Sequence, residues 1–379
     1  MSPSADAARL VRAYPAEVPV LHDRAAGVTL RPVATADLPR VVEQCRDPDS
    51  IRWIPVPVPA GGYGPDDAAA FLTSVAAGWQ SGESLAWAVE GRDRPGVFCG
   101  SIELRVPGDG LGGLGYGLHP DARGRHLMSG ALRLVRDFAF DVAGLHALRW
   151  EAVVGNWGSR RVAAAAGWPC EGSVRSLLVH RGELLDGWVG TLLATDPRTP
   201  RHWHDPPVLT GPRLRLRPFT ETDADRVAQA CADQRSQHWL VSLPRTYTRE
   251  HALEYVESAR ETAAAGTGLV WCVADTADDR CLGAISLDGF GGYSRRAEIG
   301  YWAHPDARGR GLLTEATRRV TAYAEDVRGL HSVLIRAASG NTASRRVASA
   351  AGYRTVGVQP RCEPLGDQTL DDLVLYARP

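Results

Sequence analysis

The 379-residue chain carries 43 basic against 44 acidic residues, a formal net charge of −1, with 44% hydrophobic and 23% charged residues. That length suits two domains of roughly 100–200 residues each, and the near-zero charge provides no field for drawing the protein onto nucleic acid or an anionic membrane. No apolar run approaches the roughly 18 residues of a membrane span, and the opening MSPSADAARLVRAYPAEV lacks the basic start, apolar centre and cleavage site of a secretion signal, so a cytoplasmic protein is expected.

Residues 1–21 read as an alanine-rich helical arm. A short strand ending Leu30-Arg31-Pro32 follows, then a helix for which Thr35 suits the N-cap. A second helix is expected from Pro65 through Trp79, with apolar residues at three- and four-residue spacing. The runs LAWAVE and VFCGSIELR, divided by polar turns, read as an antiparallel meander. A strand from Leu114 to Leu118 enters the loop HPDARGRH, which leads to a helix, a strand from Leu148 to Val154, and a short helix from Ser159. Residues 197–211, proline-rich and aperiodic, are expected to link two domains; His202 and His204 there read as solvated side chains rather than metal ligands, and no metal is expected.

Beyond that segment the pattern starts again. HPDARGRH at His119 returns as HPDARGRG at His304, 185 positions later, and Asn156, Ser159, Arg160, Arg161 and Val162 return at the same separation as Asn341, Ser344, Arg345, Arg346 and Val347. The second copy matches element by element: Leu216-Arg217-Pro218, a start at Thr220, a helix from Thr248 through Ala265, the runs LVWCVAD and CLGAISLDG, strands Glu298 to Trp302 and Ser332 to Ala337, and a helix from Ser344. A period near half the chain means two whole globular units rather than a solenoid. Each is expected to be mixed α/β, 22–196 and 212–379. Seven scattered cysteines without a CxxC pair read as reduced thiols. All 43 basic residues are arginine.

A glycine- and arginine-rich loop between a strand and a helix presents backbone N–H groups at the positive end of a helix dipole, an anion site that fits a diphosphate. In the second copy Arg308, Gly309, Arg310, Gly311, Leu312 and Leu313 form that loop: the glycines allow close backbone approach and the guanidiniums offer charge. With EIGYWAHPDARGRGLLTEA, the Asn-x-x-Ser from Asn341, NTASRRVASAAGYRTVG and the terminal DDLVLYAR, the chain resembles the GNAT acyl-CoA N-acyltransferases, in particular the RimJ/RimL-type branch. The resemblance covers nearly both repeats. It implies an α/β (α+β) fold class, two tandem GNAT folds, each with a mixed, mostly antiparallel sheet flanked by helices and a splayed strand pair that takes the acyl-CoA arm.

It also implies an enzyme that moves an acyl group from acetyl-CoA or another acyl-CoA to a primary amine, either a peptide N-terminus or a small-molecule amine. Trp302, Ala303, the loop residues 308–313 and Asn341 are then expected at the cofactor, although the motif wants a small residue where Leu313 stands. An α-amine, which ordinarily titrates at about pH 8, must lose a proton before it attacks, so a carboxylate base is expected. RimL-type enzymes pair the serine of the Asn-x-x-Ser motif with a glutamate about nineteen residues on, which lands on Ser344 as acid and Glu363 as base; Glu298, on the strand ahead of the loop, is the other candidate base, or else a carboxylate paired to an arginine. Asn341 is a cofactor ligand or a helix cap. A non-catalytic acyl-CoA-binding or scaffolding protein is the rival reading.

The first copy departs from this pattern. His126 and Met128 stand where the motif wants small residues and are expected to crowd the loop, while Gly113 and Leu178 replace Glu298 and Glu363. Residues 22–196 are therefore expected to be a degenerate, inactive domain. Trp53 and Trp239 match and could border the acceptor site or simply pack in the core. A monomer is expected, since a duplicated chain can contain its own pseudo-dimer.

Overall fold

The computed structural model describes residues 18–55, 59, 61–290 and 295–378, and the chain divides into two compact units, Met1–Arg201 and His202–Pro379. The expected helical arm falls almost wholly in residues 1–17, outside the described residues. Next to them, Val18 packs on the first core and the Pro19 carbonyl accepts a hydrogen bond from Trp87 Nε1 at 3.0 Å.

The first unit runs β1 (Leu21–Asp23), β2 (Val28–Arg31), α1 (Leu38–Arg46), α2 (Pro48–Trp53), α3 (Pro65–Ser81), β3 (Ser84–Gly91), β4 (Gly100–Arg105), β5 (Leu111–Leu118), α4 (Leu127–Asp141), β6 (Ala147–Val153), α5 (Trp157–Ala165), β7 (Gly172–His180) and β8 (Glu183–Leu193). The second repeats this order: β9 (Leu209–Thr210), β10 (Leu214–Arg217), α6 (Ala224–Ala232), α7 (Gln234–Trp239), α8 (Arg249–Ala264), β11 (Gly268–Asp275), β12 (Cys281–Asp288), β13 (Arg296–Ala303), α9 (Leu312–Ala322), β14 (Ser332–Ala338), α10 (Thr342–Ala350), β15 (Arg354–Pro364) and β16 (Leu370–Ala377). Each unit holds one eight-stranded sheet, ordered β1-β2-β3-β4-β5-β6-β8-β7 and, equivalently, β9-β10-β11-β12-β13-β14-β16-β15. Every neighbouring pair is antiparallel except β5 with β6 and β13 with β14.

Local chemistry explains the shared openings. Arg31 and Arg217, from the Leu-Arg-Pro triplets, hold the buried Asp37 and Asp223 through paired hydrogen bonds of 2.8 to 2.9 Å. Those carboxylates accept from the Ala34 and Thr220 amides, closing a 3₁₀ turn ahead of each helix; Thr220 stands at the N-cap as expected, whereas Ala34 takes the place expected of Thr35. The short helices α2 and α7, unforeseen in the sequence, are capped by Asp47 and Asp233. In the second unit alternation along β13 divides the sheet into two faces: Ala297 and Ile299 join the core beneath α9, while Trp302 joins the cluster formed by α6 and α8.

The proline-rich stretch is not a free linker. Arg198 makes a paired contact with Asp141 at 2.6 and 2.7 Å, and the Arg201 amide donates to the Ala164 carbonyl at 2.8 Å, tying 198–201 to the first unit. In the second unit, Pro207 accepts from Trp271 Nε1 at 2.8 Å and Leu209–Thr210 forms the edge strand. His204, expected to be solvated, is half-buried with its ring 5.4 Å from Phe290 and its nitrogens facing Arg328. Indole donation and apolar packing override what turn-forming composition suggests.

Candidate acyl-CoA site

The strand pair β13 and β14 is joined at only three positions, Arg296 with Ser332, Ala297 with Val333 and Glu298 with Leu334. Beyond them β13 continues against β12 as far as Ala303, while β14 pairs with β16 from Leu334 to Ala338. The strands part, and the backbone groups of β13 from Gly300 onward face a gap on the β14 side. Unpartnered strand edges seek hydrogen bonds, which an extended amide-bearing arm supplies. Gly283 permits the close fit at the tip: a Cβ there would lie 2.4 Å from the Trp302 carbonyl oxygen.

The gap opens toward the loop. Gly309 and Gly311 both take the left-handed conformation, φ 72° and 71°, and Gly311 begins α9 with no side-chain cap. Its leading amides thus have neither a preceding turn nor a capping side chain, at the positive end of an 11-residue helix. Leu312 is buried, and Leu313 packs against the same core rather than over the loop. Arg308 corrects one expectation: its guanidinium is turned away, bonded to Asp233 at 2.6 Å and Ser236 Oγ at 3.0 Å, so it fastens the loop to α7 instead of offering charge. Burial works to raise the Asp233 carboxyl, but hydrogen bonds from Arg308 and the Ser236 amide hold it below the usual range. Arg310 is exposed, its carbonyl held by Arg213 at 2.8 Å.

On the α10 side, Asn341 Oδ1 accepts from the Ser344 amide at 3.1 Å, so the asparagine caps α10. Ser344 Oγ lies 3.1 Å from the Tyr301 hydroxyl, not on Glu363. Burial raises the Tyr301 phenol to about 12. Trp302 points to the opposite face, its ring 6.2 Å from that of Tyr255.

That opposite face carries the carboxylates. Glu298 is bonded to Arg336 Nε at 2.8 Å, the arginine-paired arrangement. Asp288 stands across from Glu298; although the residue is exposed, desolvation of its carboxyl, with the Glu298 charge, raises its pKa. Glu363 is opposite Asp371 on β16, and Asp371 is held low first by Ser339 Oγ, at 2.6 Å, and by the Gly340 amide. Val374 and Tyr376 of β16 belong to the core beneath α10, so alternation puts Asp371 and Glu363 on the other face. Glu363 is also near enough to act on Arg336, whose pKa is raised first by the Glu298 hydrogen bond and further by the Glu363 charge. Sequence reasoning missed Tyr301, Arg336, Asp288 and Asp371. Tyr301 could have been found, since Tyr116 precedes it by the repeat distance.

Trp239 comes from the end of α7, where its ring is 3.5 Å from a Cβ built on Gly340. The β15–β16 turn closes on the same helix: the Gly366 amide donates to the His238 carbonyl at 2.8 Å, and Arg245 donates to the Gly366 carbonyl. Asp223, Cys272 and Cys281 place ligand atoms within 4.8 Å of one another, the spacing of a metal site. Both Asp223 oxygens, however, are already bonded to Arg217, and the Cys272 thiol is pushed up by its hydrogen bond to Cys281 and by burial. This trio fits a packed core better than a cation.

In the first unit the frame is the same and the fittings differ. Strands β5 and β6 also part after three pairs. Gly124 has φ 73° and His126, exposed, starts α4 at φ 58°, so the loop keeps its backbone shape with a side chain in a conformation that favours glycine. Met128, expected to crowd the loop, is instead buried in the core at 3% exposure. Ser159 Oγ is claimed twice, by Tyr116 at 2.9 Å and Trp150 Nε1 at 3.0 Å. A carboxylate does occur on the face that carries Gly113, opposite Tyr116: Glu103 of β4, across from Gly115 and bonded to Ser84.

Both repeats match the family model described as Acetyltransferase (GNAT) domain, over residues 28–168 and 213–354. The chain is 30% identical over 151 residues to a Bacillus subtilis (strain 168) protein named "Putative ribosomal N-acetyltransferase YdaF", covering 38% of this chain and 79% of that one. It is 30% identical over 101 residues to the Escherichia coli (strain K12) ribosomal-protein-serine acetyltransferase, covering 27% and 56%. Among solved structures, a RimL ribosomal L7/L12 alpha-N-protein acetyltransferase in complex with coenzyme A matches with TM-score 0.42 and 18% identity, over 45% of this chain and 97% of that one. Among the described residues no helix is long and apolar enough to cross a membrane. With both repeats accounted for, the chain belongs to the GNAT family of acyl-CoA-dependent N-acetyltransferases, as a tandem pair of its domains.

Proposed function

We propose that the second unit transfers an acetyl group from acetyl-CoA to a primary amine, and that the first, although it shares the fold, does not. The observation that carries this reading is the parting of β13 and β14 immediately ahead of an uncapped helix whose two loop glycines adopt positive φ. The amides from Gly309 to Leu313 hold the diphosphate; β13 at Trp302 and Ala303, with Asn341, lines the arm. The bound thioester supplies the acyl group and a thiolate leaving group.

This chain's own residues handle the protons. Glu363 removes one from the attacking amine. Glu298 is the alternative base, its Oε1 already engaged by the Arg336 Nε–H at 2.8 Å. Ser344, across the gap, protonates the departing sulfur. An α-amine of a protein or peptide is the favoured acceptor, supported by the similarity to a ribosomal-protein-serine acetyltransferase; a small-molecule amine is the alternative. Calorimetric titration with acetyl-CoA, followed by thiol release with a panel that includes a seryl peptide and simple amines, tests it. Binding with amine-dependent thiol release supports the enzyme, whereas binding without release from any amine makes the protein an acyl-CoA-binding scaffold.

A further inference from the structure

We propose that Tyr301 is the positioning residue for Ser344: its hydroxyl donates to Ser344 Oγ, which frees the serine's own hydrogen to point into the gap between β13 and β14. This inference rests on the reading of Ser344 as the acid. Tyr301 OH lies 3.1 Å from both Ser344 Oγ and the Ser344 carbonyl oxygen. A serine hydroxyl rotates freely, so its hydrogen goes wherever an acceptor draws it. If the phenol donates to the carbonyl, the serine hydrogen is drawn onto the phenol oxygen and is lost to chemistry. If the phenol donates to Oγ, the serine hydrogen is not drawn onto the phenol and stays available to the gap. A phenol as weakly acidic as this buried one stays protonated at any physiological pH and remains a donor.

The first unit supplies the contrast. There Ser159 Oγ takes both Tyr116 and the Trp150 indole N–H, and an indole can only donate. The residue 185 positions after Trp150 is Ile335, which has no donor, so Tyr301 is the side chain seen holding Ser344 Oγ. The proton balance closes. The amine nitrogen bonds to the acetyl carbon, the carbon–sulfur bond breaks with its electron pair on sulfur, and sulfur takes the Ser344 proton. Ser344 is reprotonated through solvent by the proton that the amine gave up to Glu363, and Tyr301 keeps its own hydrogen throughout.

Two measurements on the full chain decide it. In a Ser344→Cys variant, the rate at which iodoacetamide alkylates the introduced thiol, followed by peptide mass spectrometry across pH, reports whether position 344 receives a donated hydrogen bond. Donation stabilises the thiolate, so the alkylation midpoint should lie below the ordinary value of about 8.5 and rise by about one pH unit when Tyr301→Phe is added. A midpoint unmoved by Tyr301→Phe overturns the proposal. Then, with acetyl-CoA and a seryl peptide, Tyr301→Phe alone should lower kcat by roughly tenfold while calorimetric acetyl-CoA affinity and the melting temperature match the parent. Adding it to Ser344→Ala should cost nothing further. A Ser344→Ala enzyme as fast as the parent would sink the acid assignment itself; a slow Ser344→Ala beside a full-speed Tyr301→Phe would sink only the role given to Tyr301.

Discussion

The two loops, 119–126 and 304–311, have nearly the same sequence and backbone, yet one ends in a glycine at φ 71° and the other in a histidine at φ 58°. The histidine shows that loop shape survives loss of the glycine, at a conformational cost of roughly 1 kcal/mol. What changes is access, because an imidazole now projects from the residue whose neighbouring amides would meet a diphosphate. The same contrast continues inward. Position 344 has one side-chain partner where position 159 has two, and Glu298 and Glu363 stand where the first unit has Gly113 and Leu178. Duplication preserved the scaffold in both copies, and the proposed acid and base residues are both present only in the second.

The largest expected effect tests the carboxylates. Glu363→Gln should lower turnover by roughly 10²- to 10⁴-fold near neutral pH with acetyl-CoA affinity retained; unchanged turnover moves the base to Glu298 or Asp288. Copying the first loop into the second comes next. Gly311→His should weaken acetyl-CoA binding about tenfold, about 1.4 kcal/mol, by calorimetry, and equal affinity would remove the basis for distinguishing the loops.

A smaller effect concerns Arg308, which anchors its loop on Asp233 as Arg123 anchors the first loop on Asp47. Asp233→Asn should cost about 1 kcal/mol in denaturant unfolding at pH 7. The folded Asp233 carboxyl titrates below its unfolded value, so the contribution is present above about pH 4 and disappears as pH falls through the lower folded value. A gap between variant and parent that persists unchanged into that acid range would contradict the ion pair. The smallest effect is His126→Gly, which should relieve left-handed strain and raise the stability of the first unit by up to about 1 kcal/mol, measured by thermal melting, without adding turnover.

Much of this was legible in the sequence because it is local or periodic. The duplication, the meander strands, the loop and the helices after it follow from repeated strings and from spacing. What stayed hidden depends on side chains that meet across the fold. Arg308 looked like a phosphate ligand because a loop arginine beside glycines suggests charge, yet Asp233, on a helix not foreseen, captures it. Met128 looked obstructive because the motif counts positions without showing that helical geometry turns this one into the core. The proline-rich stretch looked unattached because the indole that grips Pro207 lies 64 residues away. Asn341 and Glu298 each bore two readings, and the cap and the arginine pair are present in the structure.

Hydrogen–deuterium exchange of the full chain with and without acetyl-CoA tests the central claim most directly. The account predicts that acetyl-CoA slows exchange at the amides of residues 309–313 and leaves residues 124–128 unchanged. Protection confined to 124–128, or equal in both loops, would contradict it.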